Sequence, residues 1–187
     1  MPLSLPSRPP GPRTPRSAHR LPASRARHLG AEDARRVSAL LADGTHAVAS
    51  SAALVLVDDE GVRQRYVWHE VDHASFDADT ATLTVRFVDG TRPQLALVTA
   101  GQHGAGFLTA VRERIEWSII HLEQSVLSDG TRVRVTLRRD PDGAVFSQVT
   151  TLGTPRLTEQ DRAKIDDMVR RVRGTIGLDE DEAAGTG

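Results

Sequence analysis

The sequence predicts an α+β protein, strands first, then a helix, then strands and a second helix. Three observations carry this. Apolar residues alternate with polar ones between turn signals from residue 46 to 98, again from 133 to 149, and fall at helical spacing near 107–119 and 165–176.

Taken in order, Ala34, Val37, Leu40 and Leu41 repeat at helical spacing, and Gly44 stands where a helix would stop. A short helix is expected there. Six strands should follow. Residues 52–57 are a continuous apolar run, and Asp58-Asp59-Glu60-Gly61 reads as a turn between it and 62–68. Residues 70–76 form the next strand. Leu83, Val85 and Phe87 then alternate with Thr82, Thr84 and Arg86, and Asp89-Gly90 signals a hairpin into 92–98. Phe107, Leu108, Val111, Ile115 and Ile119 line one face of a helix that bears Arg112, Glu113, Arg114 and Glu116 elsewhere. Asp129-Gly130 and Asp140-Pro141-Asp142-Gly143 bracket a strand through Val133, Val135 and Leu137 and introduce another through Val145, Ser147 and Val149. In the last helix, Thr158 and Asp161 resemble a capping box, ahead of a stripe of Ile165, Met168, Val169, Val172 and Ile176.

The 187 residues suffice for one core-forming domain with a small appendage. Residues 1–28 hold seven of the ten prolines and six arginines with no acid, which predicts a disordered basic arm. Such an arm could touch anionic membranes peripherally. Residues 179–187 begin Asp179-Glu180-Asp181-Glu182 and read as an acidic disordered tail. The ordered part divides into 29–121 and a β-β-α extension over 122–178. The opening segment has no apolar leader-like stretch, so a cytoplasmic location is expected.

Composition removes several function classes. Cysteine is absent, which excludes disulfides, iron–sulfur clusters, thiolate zinc sites and cysteine nucleophiles. The formal charge of −1 does not suit a dedicated nucleic-acid binder. The longest apolar run has six residues, whereas a spanning helix needs roughly 20.

One motif invites a catalytic reading. His69-Glu70-Val71-Asp72-His73 matches H-E-x-x-H, in which two histidines one helical turn apart bind zinc and the glutamate acts as base. That alternative, a zinc-dependent metallohydrolase, would use His69 and His73 as ligands and Glu70 as base. The chemistry needs a helix, but the neighbours Tyr66, Val67, Trp68 and Val71 favour a strand. On a strand the two histidines would stand about 13 Å apart, too far to share an ion. The expectation is therefore no catalytic residues, no metal ligands and no cofactor.

Arg132, Arg134 and Arg138 share one strand face and suggest either an anion-binding surface or the solvated side of an antiparallel sheet, the second being preferred. The glycines 101, 104 and 106 precede a helix without the spacing or the lysine of a phosphate loop.

Residues 68–77, Trp-His-Glu-Val-Asp-His-Ala-Ser-Phe-Asp, resemble the W-x-x-V-x-x-A-x-aromatic-D segment of bacterial proteins with a pleckstrin-homology-like (PH-like) domain. The stretch from Phe107 to Ile115 and the segment Arg138-Arg139-Asp140-Pro141-Asp142-Gly143 are similar too. The resemblance implies a PH-like antiparallel barrel capped by a helix, then a strand-strand-helix extension, with Trp68 and Val71 at packing positions. It carries over no settled activity, substrate or functional residue. Residues 46–61 carry three acids and no Lys or Arg, so the surface on which lipid-binding PH barrels hold headgroups should repel them. The functional expectation is a non-enzymatic binding or scaffold module with a protein partner, contacted at a sheet edge or in the groove beside the barrel-end helix.

Overall fold

The computed structural model describes residues 20–101, 105–151 and 153–177. The expected tail over 179–187 and residues 1–19 of the expected arm lie outside the described residues. The chain runs α1 (Ala23–Ala26), β1 (Val37–Leu40), β2 (His46–Ala49), β3 (Ala53–Val57), β4 (Val62–Val67), β5 (Val71–Asp77), β6 (Thr82–Phe87), β7 (Leu95–Val98), α2 (Ala105–Ser118), β8 (Ile119–Val126), β9 (Arg132–Arg139), β10 (Val145–Thr151) and α3 (Glu159–Gly174). It is an α+β protein of antiparallel sheets with three α-helices among the described residues. The first sheet has the order β1-β2-β3-β4, the second β5-β6-β7 and the third β10-β9-β8.

The first two sheets and α2 share one core. Leu54 and Tyr66, Val71 and Val85, and Phe107 with Val111 meet there, all buried. At one corner the sheets are stitched directly: Ala42 N–H donates to Val98 O, Ala100 N–H donates to Leu40 O, and Leu41 bridges Thr99. Each of these bonds occupies a backbone group that an edge strand would otherwise expose.

The expected helix over 34–41 is instead the strand β1. Arg35 takes a positive φ of 51°, which no helix accommodates, and Val37 to Leu40 then pair with Ala49 to His46. Gly44, at φ 84°, closes the resulting hairpin and does not end a helix. Four apolar residues spaced like a helix were too few to resist pairing with an apolar neighbour strand.

Residues 20–28 also depart from expectation, because they are ordered. Leu21 and Leu29 flank α1 and pack on the outer face of the first sheet, over Val48, Ala53, Val55 and Val57. Covering that face explains why β3 is buried at all five positions and shows no alternation. Arg25 fastens the strap: its guanidinium donates to both oxygens of Asp59 (3.0 and 2.7 Å) and to Gly44 O (2.6 Å).

The third sheet begins without a loop. α2 ends at Ser118 and β8 starts at Ile119, so the boundary expected at 121/122 falls inside a strand, and the extension has three strands before its helix rather than two. Val133, Val135 and Leu137 face Met168 and Val172 of α3 in a second core. The capping box forms as expected, with Thr158 Oγ1 accepting from Asp161 N (3.1 Å) and the Asp161 carboxylate accepting from Thr158 N (3.1 Å).

Candidate binding cleft between the second and third sheets

Because Val133, Val135 and Leu137 turn towards α3, the alternate residues Arg134, Thr136 and Arg138 turn the other way. That face meets the second sheet and the end of α2; it is not the solvated face that was preferred from sequence. Arg138 is only 1% exposed. Its Nη1 donates to Ser118 Oγ (3.1 Å) at the C-terminal end of α2, where the helix carbonyls favour a cation. Its Nε has no hydrogen-bond partner. Burial pushes this guanidinium below its ordinary pKa; the Asp72 carboxylate opposes that shift and Arg134 adds to it.

The H-E-x-x-H residues disperse across this junction. Trp68–Glu70 is a single 3-10 turn and Val71 begins β5, so the helix required for zinc binding is not formed. The Trp68 indole N–H donates to Ser50 O (3.0 Å) from a buried position, which anchors the turn between the first two sheets. The His69 ring stands edge-on to Phe146 of β10, with centroids 5.2 Å apart and the planes at 87°. Glu70 accepts from Arg92 (3.2 Å). His73 is half exposed and lies 3.7 Å from the carboxylate of Asp72. Among the described residues, no three His, Asp or Glu side chains are grouped so that they could hold a metal ion.

Asp72 is the hinge of the arrangement. It accepts two bonds from Arg134 of β9 (2.7 and 3.4 Å), pinning the third sheet to the second. Beside this pair opens a cleft of about 310 Å³ lined by Asp72, Arg86, Phe87, Arg92, Arg134 and Thr150 among others. The Arg92 guanidinium sits over the rings of Phe87 (4.1 Å from the ring centroid) and Tyr66 (4.9 Å), which holds it at the cleft wall. The Tyr66 phenol is pushed above its ordinary pKa by burial, while the Arg92 cation pulls it back. Arg86 projects from β6, exposed, and its side chain has no hydrogen bond or ion pair among the described residues. The cleft thus carries three guanidinium groups around one carboxylate.

A second cleft, lined by β7 and by the turns at 43–45 and 58–60, has the reverse character. Asp43, Asp58, Asp59 and Glu60 line a wider cleft of about 680 Å³ together with Arg25 and Arg63. Arg63 holds the Asp58 carboxyl below the usual range by hydrogen bonding, and Arg25 does the same for Asp59. Four acids against two arginines leave this cleft negative, as expected for the turn at 58–61.

The sequence pointed to Arg134 and Arg138 but missed Arg86 and Arg92, because no strand pattern says which polar residues of two separate hairpins will meet. It also missed β8, although Ile120, Leu122 and Val126 alternate there with His121, Glu123 and Ser125.

Among known proteins, no family model matches this chain and no curated protein matches it. Among solved structures, it is similar to the FERM and C-terminal domain complex of Drosophila Merlin, with a TM-score of 0.35 and 16% identity. That likeness covers 43% of this chain and 28% of the Merlin chain.

Proposed function

We propose that this chain is a non-enzymatic binding module with a PH-like layout, acting in the cytoplasm by holding a protein partner. Four antiparallel strands, three more, and a helix that fills the core between them support the PH-like reading. The groove beside α2 and β5, one of the two surfaces anticipated from sequence, adjoins the chain's own third sheet: α2 touches β8 and β9 as well as β5. The docking surface is instead the neighbouring cleft between the second and third sheets, which no residue of α2 lines. A single observation carries this choice. Arg86 is exposed and uncompensated beside Arg92 and Arg134, in a cleft whose volume lies at the lower end of the range for specific pockets.

Photo-crosslinking tests the reading. A photoreactive residue replacing Thr150 should capture one discrete protein in cells, and Arg86→Glu should abolish that product. The same residue placed at Asp59 should capture none. Equal capture at both positions, or none at Thr150, would refute it.

A further inference from the structure

We infer that the cleft between the second and third sheets recognises an acidic protein segment, through carboxylate side chains seated on Arg86, Arg92 and Arg134. This rests on the binding-module reading above and adds the partner's chemistry. The cleft already displays how it takes carboxylates. Arg134 receives Asp72 through two nitrogens, and Arg92 receives Glu70 while its guanidinium sits over two rings. Both guanidinium groups keep further N–H donors, since each has five and uses one or two here. Arg86 contributes a whole fork with no internal acid to satisfy it. Further along β9 the buried Arg138 adds positive charge that no ion pair neutralises among the described residues. A bidentate carboxylate on a rigid, ring-supported guanidinium is the geometry such a surface selects.

Competing anions fit less well. The aromatic faces of Tyr66 and Phe87 nearest the cleft are covered by Arg92, so they offer no platform for stacked bases. A flat membrane surface, broader than this cleft, would also meet the four carboxylates that line the wider cleft beside it along β7.

The probe is a short fluorescent peptide of alternating Glu and Ser, with a Gln-for-Glu peptide and a single-stranded oligonucleotide of equal charge as comparators. Anisotropy with the full chain should show saturable binding of the Glu peptide alone, weakening as salt is raised. Arg86→Glu should weaken it about tenfold, whereas Arg112→Glu, on the outer face of α2, should leave it within about twofold. Arg86 is exposed, so its replacement leaves the fold intact. Equal binding of the Gln peptide, insensitivity to Arg86→Glu, or equal binding of the oligonucleotide would each overturn the inference. If crosslinking at Thr150 still captures a protein while the Glu peptide fails, the acidic chemistry falls and the binding-module reading stands.

Discussion

Arg134 of β9 reaches Asp72 of β5 with both terminal nitrogens, at 2.7 and 3.4 Å, across sixty-two positions of chain. Each partner keeps about a fifth of its side-chain surface exposed, 21% for Arg134 and 19% for Asp72. The pair is therefore sheltered from solvent without being sealed from it. It joins the sheet that rests on α3 to the sheet that rests on α2, and it forms one wall of the arginine-lined cleft.

Breaking that pair should cost stability and loosen the junction. Arg134→Leu leaves a half-buried carboxylate without its partner, and a loss of about 1–2 kcal/mol is expected in chemical denaturation. A double-mutant cycle with Asp72→Asn should return a coupling energy of about 1 kcal/mol. Additive losses from the two single changes would show that the contact contributes nothing.

Asp161 should make stability depend on acid. It is buried and accepts bonds from Ser128 N (2.8 Å), Ser128 Oγ (2.6 Å), Thr158 N (3.1 Å) and Thr158 Oγ1 (2.6 Å). The two hydroxyls, Ser128 first, hold its carboxyl far below the usual carboxylate range. A depressed folded pKa contributes stability that is present above the ordinary value near 4 and lost as pH falls through the folded value. The melting temperature of Asp161→Asn should therefore lie below wild type at neutral pH, and the gap should shrink as pH drops below about 4. A gap independent of pH would contradict the assignment.

The two histidines of the H-E-x-x-H match should behave differently, because they sit in different environments. His69→Ala removes a ring packed against Phe146 and should lower stability by about 1–2 kcal/mol. His73→Ala, at a half-exposed position, should change it by less than about 0.5 kcal/mol. Thermal melts before and after chelation check the same point from another side. An equal loss in both variants, matched by a loss on chelation, would mean that the histidines act together on a metal.

Much of the fold was legible in sequence because its signals are local. Thr158 and Asp161 lie three residues apart, the Asp-Gly turns set their own hairpins, and Leu83, Val85 and Phe87 alternate on one strand. Each needs only a few neighbouring residues to be satisfied. The failures share the opposite property. Val37 and Leu40 mimic a helix face until β2 pairs with them, and Leu21 looks like part of a proline-rich tail until it packs on the outer face of the first sheet.

The cleft belongs to the second kind. The sequence by itself determined that Arg132, Arg134 and Arg138 share a strand face opposite Val133, Val135 and Leu137, since side chains alternate along a strand. Only the tertiary structure decided which face α3 would cover. Once the apolar face took α3, the arginine face was left to meet β5 and the end of α2, and Arg134 met Asp72. Arg86 and Arg92 joined them from another hairpin because sheet packing, driven by non-directional burial between segments distant in sequence, set where the hairpins came to rest.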